Sequence, residues 1–168
     1  LERLAEDDVT LDFHRIHLTA LRDEDAATRI LAVRGLWEEE KVEYMHLLIG
    51  QVRDDPEATV RAAVTDVLGQ WVIAGEFGVI SEDDVDVLSS ALREAIEDAR
   101  EEDEVSARAL EALGANSHES TAEVIGEAYE AGNQRMRLAS LRAMGRNASD
   151  DWLPVLLYNF DDEDLGWA

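Results

Sequence analysis

His14 and His17 stand three residues apart, so on a helix both imidazoles share one face, and Asp12 is near enough to join them. Those residue types at that spacing are where a zinc site begins. A complete site needs a third and a fourth ligand, and no further donor is spaced to supply them. The pair reads better as solvated or partly packed side chains. Acidic runs at 38–40, 101–104 and 161–164 set carboxylates side by side, the material of acid/base chemistry. With 39 Asp and Glu in 168 residues, two adjacent acids carry little information, and the runs read as solvated turns. Serines occur, but none lies in a nucleophile motif. No glycine-rich phosphate loop follows a strand. Cysteine is absent, which excludes disulfides and thiolate metal sites. The expectation is a chain with no catalytic residue, no metal and no cofactor.

One stretch departs from the acidity. Residues 133–148 hold four arginines and no Asp or Glu. Arg135, Arg142 and Arg146 are spaced seven and four apart, which places them along one stripe of a helix. Two readings stay open: an intramolecular match to acidic neighbouring segments, with Arg146 also favoured near a helix C-terminus, or an anchor for an acidic partner segment.

The formal net charge is −24, from 15 basic and 39 acidic residues, and Lys41 is the single lysine. Abundant carboxylates with almost no lysine fit a salt-in halophile, where hydrated acids keep protein soluble. A GC-rich bacterial gene with an acidic surface fits equally well. Either way the charge argues against nucleic acid or an anionic membrane as partner, since phosphate binding needs clustered Lys and Arg. No apolar run reaches the roughly 18 residues of a membrane span. The start is acidic and lacks the hydrophobic stretch of a secretion signal, so a cytoplasmic location is expected. Position 1 is not Met, and residues 161–168 read as the opening of a further unit; the sequence is expected to be a fragment.

A weak pattern recurs at 28–36, 60–69, 105–114 and 136–145. Each copy places small or apolar residues at helical spacing and reaches an anchor, Leu36, Leu68, Leu113 or Met144, which three of the four follow with Gly. The anchors lie 32, 45 and 31 residues apart. A period of roughly 30–45 residues with helical spacing inside it predicts stacked helix pairs. Helices are predicted near 9–22, 25–37, 39–53, 57–74, 82–99, 103–114, 118–131, 133–146 and 150–160, with no sheet. Asp55-Pro56 and Ser81 read as helix starts, and Gly114, Gly132 and Gly145 as stops. The long interval carries about 13 extra residues near 70–81, with Trp71, Val72, Phe77, Val79 and Ile80. They read either as a longer helix whose aromatics cap the core or as a protruding binding loop.

The copy at 55–69, with Asp55, Val60, Arg61, Ala63, Leu68 and Gly69, resembles HEAT repeats of the short kind found in bilin-lyase-like proteins. The resemblance implies an all-α, right-handed α-α superhelix of about nine helices. Repeats would lie near 23–54, 55–100, 101–131 and 132–160, with a partial repeat at each end. It also implies that a turn Asp and an Arg six residues later link successive repeats. Asp23 with Arg29 and Asp55 with Arg61 match; Ser106 replaces the Arg in the third copy, and Ala131 the Asp in the fourth, so no link is expected past the second. His118-Glu119 is similar to the dipeptides of HEAT-like di-iron hydroxylases, but one copy in a turn reads as accidental.

Such arrays imply a non-catalytic scaffold for a protein partner. The alternative is an enzyme accessory or chromophore-lyase-like protein; a DNA-repair solenoid would need a basic face. The second helix of the first pair would present Glu43, Tyr44, His46, Leu47 and Gln51 to the partner, with Tyr44 and Leu47 exposed among carboxylates. Trp152, Tyr158, Phe160 and Trp167 form a second aromatic-rich surface. The charge generates one prediction. Salt shortens the reach of like-charge repulsion to about 8 Å at physiological strength and about 3 Å at 1 M. The melting midpoint should therefore rise steadily with potassium chloride; a flat or falling midpoint would count against net repulsion.

Overall fold

Nine α-helices form among the residues described by the computed structural model, 14–37 and 41–160 (His14 by its backbone alone), and no strand does. They are α1 (His14–Ala20), α2 (Ala26–Arg34), α3 (Val42–Asp54), α4 (Ala58–Glu76), α5 (Glu82–Glu97), α6 (Asp103–Leu113), α7 (Glu119–Ala131), α8 (Gln134–Asn147) and α9 (Leu153–Asn159), the last entered through a 3-10 turn at Asp150–Trp152. The runs at 38–40 and 161–164, Trp167, Asp12 and the expected partial repeat at the C-terminal end lie outside the described residues; of the one expected before residue 23, only 14–22 are described.

Local chemistry sets most of the starts. The Asp25 carboxylate accepts from the Thr28 N–H at 3.0 Å, Ser81 Oγ from Asp84 N–H at 3.2 Å, and Asn133 Oδ1 from Met136 N–H at 3.0 Å. α5 adds Glu82, Asp83 and Asp84 at its positive end. Two sequence expectations shift. Asp55 is not the cap of α4, which begins three residues later; its carboxylate accepts instead from the Glu57 N–H at 3.0 Å. Gly145 does not stop α8, which runs to Asn147 and closes on Ala148 in the left-handed region, φ 56°. Glycine ends a helix by turning left-handed, and among the described residues the positive φ values fall at Gly78 and Ala148, not at Gly145.

The helices carrying the recurrent pattern pack in order, α2 on α4, α4 on α6 and α6 on α8. α3 packs on α4 and α5, and α5 also on α4 and α6; α7 packs on α8. The anchors Leu36, Leu68 and Leu113 are fully buried, and Met144 nearly so. Glycine after the anchor faces the next helix of the row at two positions, and at Gly114 the space admits no side chain. A Cβ on Gly114 would lie 2.7 Å from the Cα and Cβ of Ala143, and one on Gly69 would lie 3.4 Å from the Cβ of Ala112. In both cases the residue met stands one place before the anchor of the next helix in the row. Small residues on both sides let the helix axes approach.

The extra residues at 70–81 lengthen α4. Trp71 and Val72 join the core, and Ile80 returns to it after the chain reverses at Gly78, φ 67°. Phe77 does not cap the core as expected; it is 80% exposed at the end of α4, beside exposed Ile73 and Val79. Helical rotation carries it off the stripe that Leu68, Trp71 and Val72 occupy. At the other end Trp152 packs on the second core cluster, whereas Tyr158 and Phe160 are exposed.

Leu68 tests the packing. It is fully enclosed between helices of the row, so Leu68→Ala should lower the unfolding free energy by about 2–5 kcal/mol in a denaturant titration. A change within about 0.5 kcal/mol, the range of ordinary surface substitutions, would mean that the anchors are misaligned.

Candidate functional site

Arg29 is the best-held cation in the structure. Its Nε and Nη2 donate to the two Asp55 carboxylate oxygens at 2.8 Å each, and its Nη1 donates to the backbone oxygens of Asp23 at 2.9 Å and Glu24 at 3.1 Å. Both side chains are nearly closed to solvent, 8% and 4% exposed. Arg61 repeats the arrangement one helix on. Its Nη1 donates to the Asp55 backbone oxygen at 2.6 Å, and its fork takes Glu101 at 2.8 and 2.6 Å. Each arginine thus pins the turn before its own helix and grips the carboxylate of the next turn. A planar fork matches a carboxylate in two parallel bonds, which fixes orientation as well as distance.

The pattern stops where the sequence departs from it. In the third copy, Ser106 donates to the Ala95 carbonyl at 2.9 Å. In the fourth, Arg137 lies over the Tyr129 ring, 5.3 Å from its centroid. The sequence reading passed over Glu101 as part of a solvated acidic turn. It sits one place past the motif position, which Arg100 occupies, and its longer side chain makes up the offset.

The arginine stripe of α8 faces α6. Arg135 pairs with Glu104, Arg142 Nη1 donates to Glu111 at 3.0 Å, and Arg146 Nη1 donates to the Glu111 backbone oxygen at 2.9 Å. Arg108 joins Glu104 at 3.0 Å and Glu111 at 3.5 Å. Arg135 and Glu104 both stand nine places before their anchors, and Arg142 and Glu111 both stand two before. Aligning the copies of the recurrent sequence pattern could therefore have found these pairs. All three arginines of the stripe thus have intramolecular partners on α6, while Arg135 and Arg142 stay 53% and 45% exposed beside a cleft of about 340 Å³.

The face assigned to α3 is less open than its sequence suggests. Tyr44 and Leu47 are half-buried and pack on the core, rather than standing exposed among carboxylates. α3 is enclosed by both α4 and α5, which widens its apolar stripe beyond Met45, Leu48, Ile49 and Val52. His46 reaches Asp84 on α5 at 2.8 Å, and Gln51 Nε2 donates to the Leu21 carbonyl at 2.8 Å. Glu43 is exposed. Leu47, Gly50 and Gln51 do line a cleft of about 590 Å³, together with Leu18, Leu21 and the turn that follows α1.

Among the described residues, no group of three or more His, Asp or Glu is placed to hold a metal. The His17 ring packs against Gly35, and His118 Nδ1 accepts from the Ser120 N–H at 3.2 Å as the cap of α7. No helix among the described residues is long and apolar enough to cross a membrane. No protein-family model, curated protein or solved structure matches the chain.

The Arg61 fork holds the Glu101 carboxyl below the ordinary glutamate value of 4.5. A carboxylate depressed on folding stabilises the fold fully above its unfolded pKa, and that stability is lost as pH falls through the folded pKa. Wild type should therefore melt above Glu101→Gln at neutral pH, and the gap should narrow as pH falls below the ordinary glutamate value and close once it passes the lower folded one. A gap that persists at low pH would show that the carboxylate charge contributes nothing.

Proposed function

We propose that the chain is a non-catalytic protein-interaction scaffold, a HEAT-like right-handed stack of helix pairs that offers a long rigid face to a protein partner. One observation carries the reading: equivalent positions in successive copies make equivalent contacts. Arg29 and Arg61 each reach the next turn, and Gly69 and Gly114 each meet the alanine before the next anchor. A chain that copies its own interface builds a surface longer than any single helix pair, and such surfaces collect many weak contacts. The charge of −24 directs the face towards partners with basic and apolar features and away from phosphate backbones.

The test is affinity capture on immobilised protein from native lysate of the source, followed by titration calorimetry with the purified captured protein. The expected outcome is a saturable isotherm of fixed stoichiometry, with no nucleic acid retained. Absence of any saturable partner, or turnover of a substrate by the purified chain, would overturn the proposal. A crystal structure in which the α2–α4–α6–α8 row lacked a consistent right-handed turn would remove the HEAT-like architecture and leave the binding role standing.

A further inference from the structure

The cleft beside the Arg29–Asp55 pair has a chemical character of its own. Leu18, Leu21, Leu47 and Gly50 supply an apolar lining, and Asp23, Glu24 and Asp54 supply carboxylates against one other cation, Arg22. Arg29 and Asp55 line it too, but neutralise each other. Among the described residues neither the Glu24 nor the Asp54 carboxylate has a hydrogen-bond or ion-pair partner. Asp54 ends α3, where the helix dipole is negative and a carboxylate is unfavourable. Arg53 does not relieve it, since its guanidinium pairs with Glu94 on α5 at 2.9 Å.

Gly50 is the second observation. It stands inside α3, where glycine costs helix stability relative to alanine. A Cβ there would meet no atom within 4 Å, so no contact with neighbouring helices requires the glycine. Its effect is to leave the cleft open.

Charge selects the occupant. A second copy brings −24 to an acidic rim. Residues 1–13 carry Glu2, Glu6, Asp7, Asp8 and Asp12 against Arg3, the wrong sign to fill it. Phosphate-bearing ligands are repelled for the same reason. Building on the scaffold reading, we infer that this cleft receives an arginine or lysine side chain, with an adjoining aliphatic one, from a basic segment of the protein partner. The cation meets Glu24 and Asp54 at the negative end of α3, and the aliphatic group lies over Leu18, Leu47 and Gly50. A volume of about 590 Å³ suits two such side chains.

The test uses the full chain near physiological salt and a fluorescein-labelled peptide alternating Arg and Leu, followed by anisotropy. A peptide with citrulline in place of arginine is the neutral control. Wild type should bind the Arg peptide saturably and the citrulline peptide about tenfold more weakly. Gly50→Leu, which fills the cleft, should weaken binding by a similar factor while melting no lower than wild type. The pair Glu24→Gln with Asp54→Asn should do the same. The pair Asp83→Asn with Asp86→Asn, at exposed positions of α5, makes the same change in net charge and should leave binding within about twofold. Equal weakening by both pairs would overturn the cleft in favour of diffuse attraction to an acidic protein, and so would wild-type affinity in Gly50→Leu or no binding at all. A captured partner held equally by wild type and Gly50→Leu would overturn the cleft and spare the scaffold. Intact peptide binding with no captured partner would do the reverse.

Discussion

The guanidinium fork that joins one turn to the next is the contact on which the arrangement of α2, α4 and α6 depends. Arg29 and Arg61 are both removed from bulk water, and each satisfies backbone carbonyls of its own turn while holding a carboxylate of the next. Desolvating two charges costs about as much as their attraction returns, so such a pair adds little net stability over an apolar replacement. Its contribution is registry. A fork with two fixed bonds accepts one rotation and one translation of the neighbouring helix pair, which apolar packing alone leaves looser. The hydrophobic anchors supply the driving force, and the forks select among the packings those anchors allow.

The acidity makes that division of labour sharper. With −24 on the chain, a cation has acids to choose from everywhere, and half of the arginines reach across to a neighbouring element. Arg53 crosses from α3 to α5, Arg93 reaches Ser120 on α7, and the α8 stripe binds α6. Arginine is suited to this because it stays charged and presents several donors in a plane. The surplus carboxylates are left outward, and wherever a helix end collects them without a cation the surface potential deepens. The α3 terminus is such a place.

The fold was legible in the sequence where one residue decides one thing. The four anchors, the cap at Ser81 and the long helix over the extra residues follow from periodicity and capping chemistry, whereas the caps at Asp25 and Asn133 went unread. Failures came where two segments distant in sequence decide together. Glu101 looked like a solvated acid because its partner is 40 positions away and offset by one from the motif. Tyr44 and Leu47 looked exposed because a hydrophobic pattern counts one neighbouring helix, and α3 has several. Gly145 looked like a stop because glycine ends helices often, yet there the chain continues for two more residues. Gly50 carried a signal that went unread, since an open space cannot be seen along a sequence.

α6 has a consequence of another kind. Val105 through Gly114 are buried with the sole exception of Arg108, and the helix packs against α4, α5 and α8. Repeat arrays whose units touch only sequential neighbours lose order from their ends, one unit at a time. Here a single helix belongs to both core clusters, through Ala109, Ala112 and Leu113 on one side and Ala107 and Leu110 on the other. Releasing it strips apolar surface from both halves at once. The keystone therefore ties the two halves into one cooperative unit, so that partial denaturation is suppressed, and whatever holds the outer helices in place is felt through α6 along the length of the row.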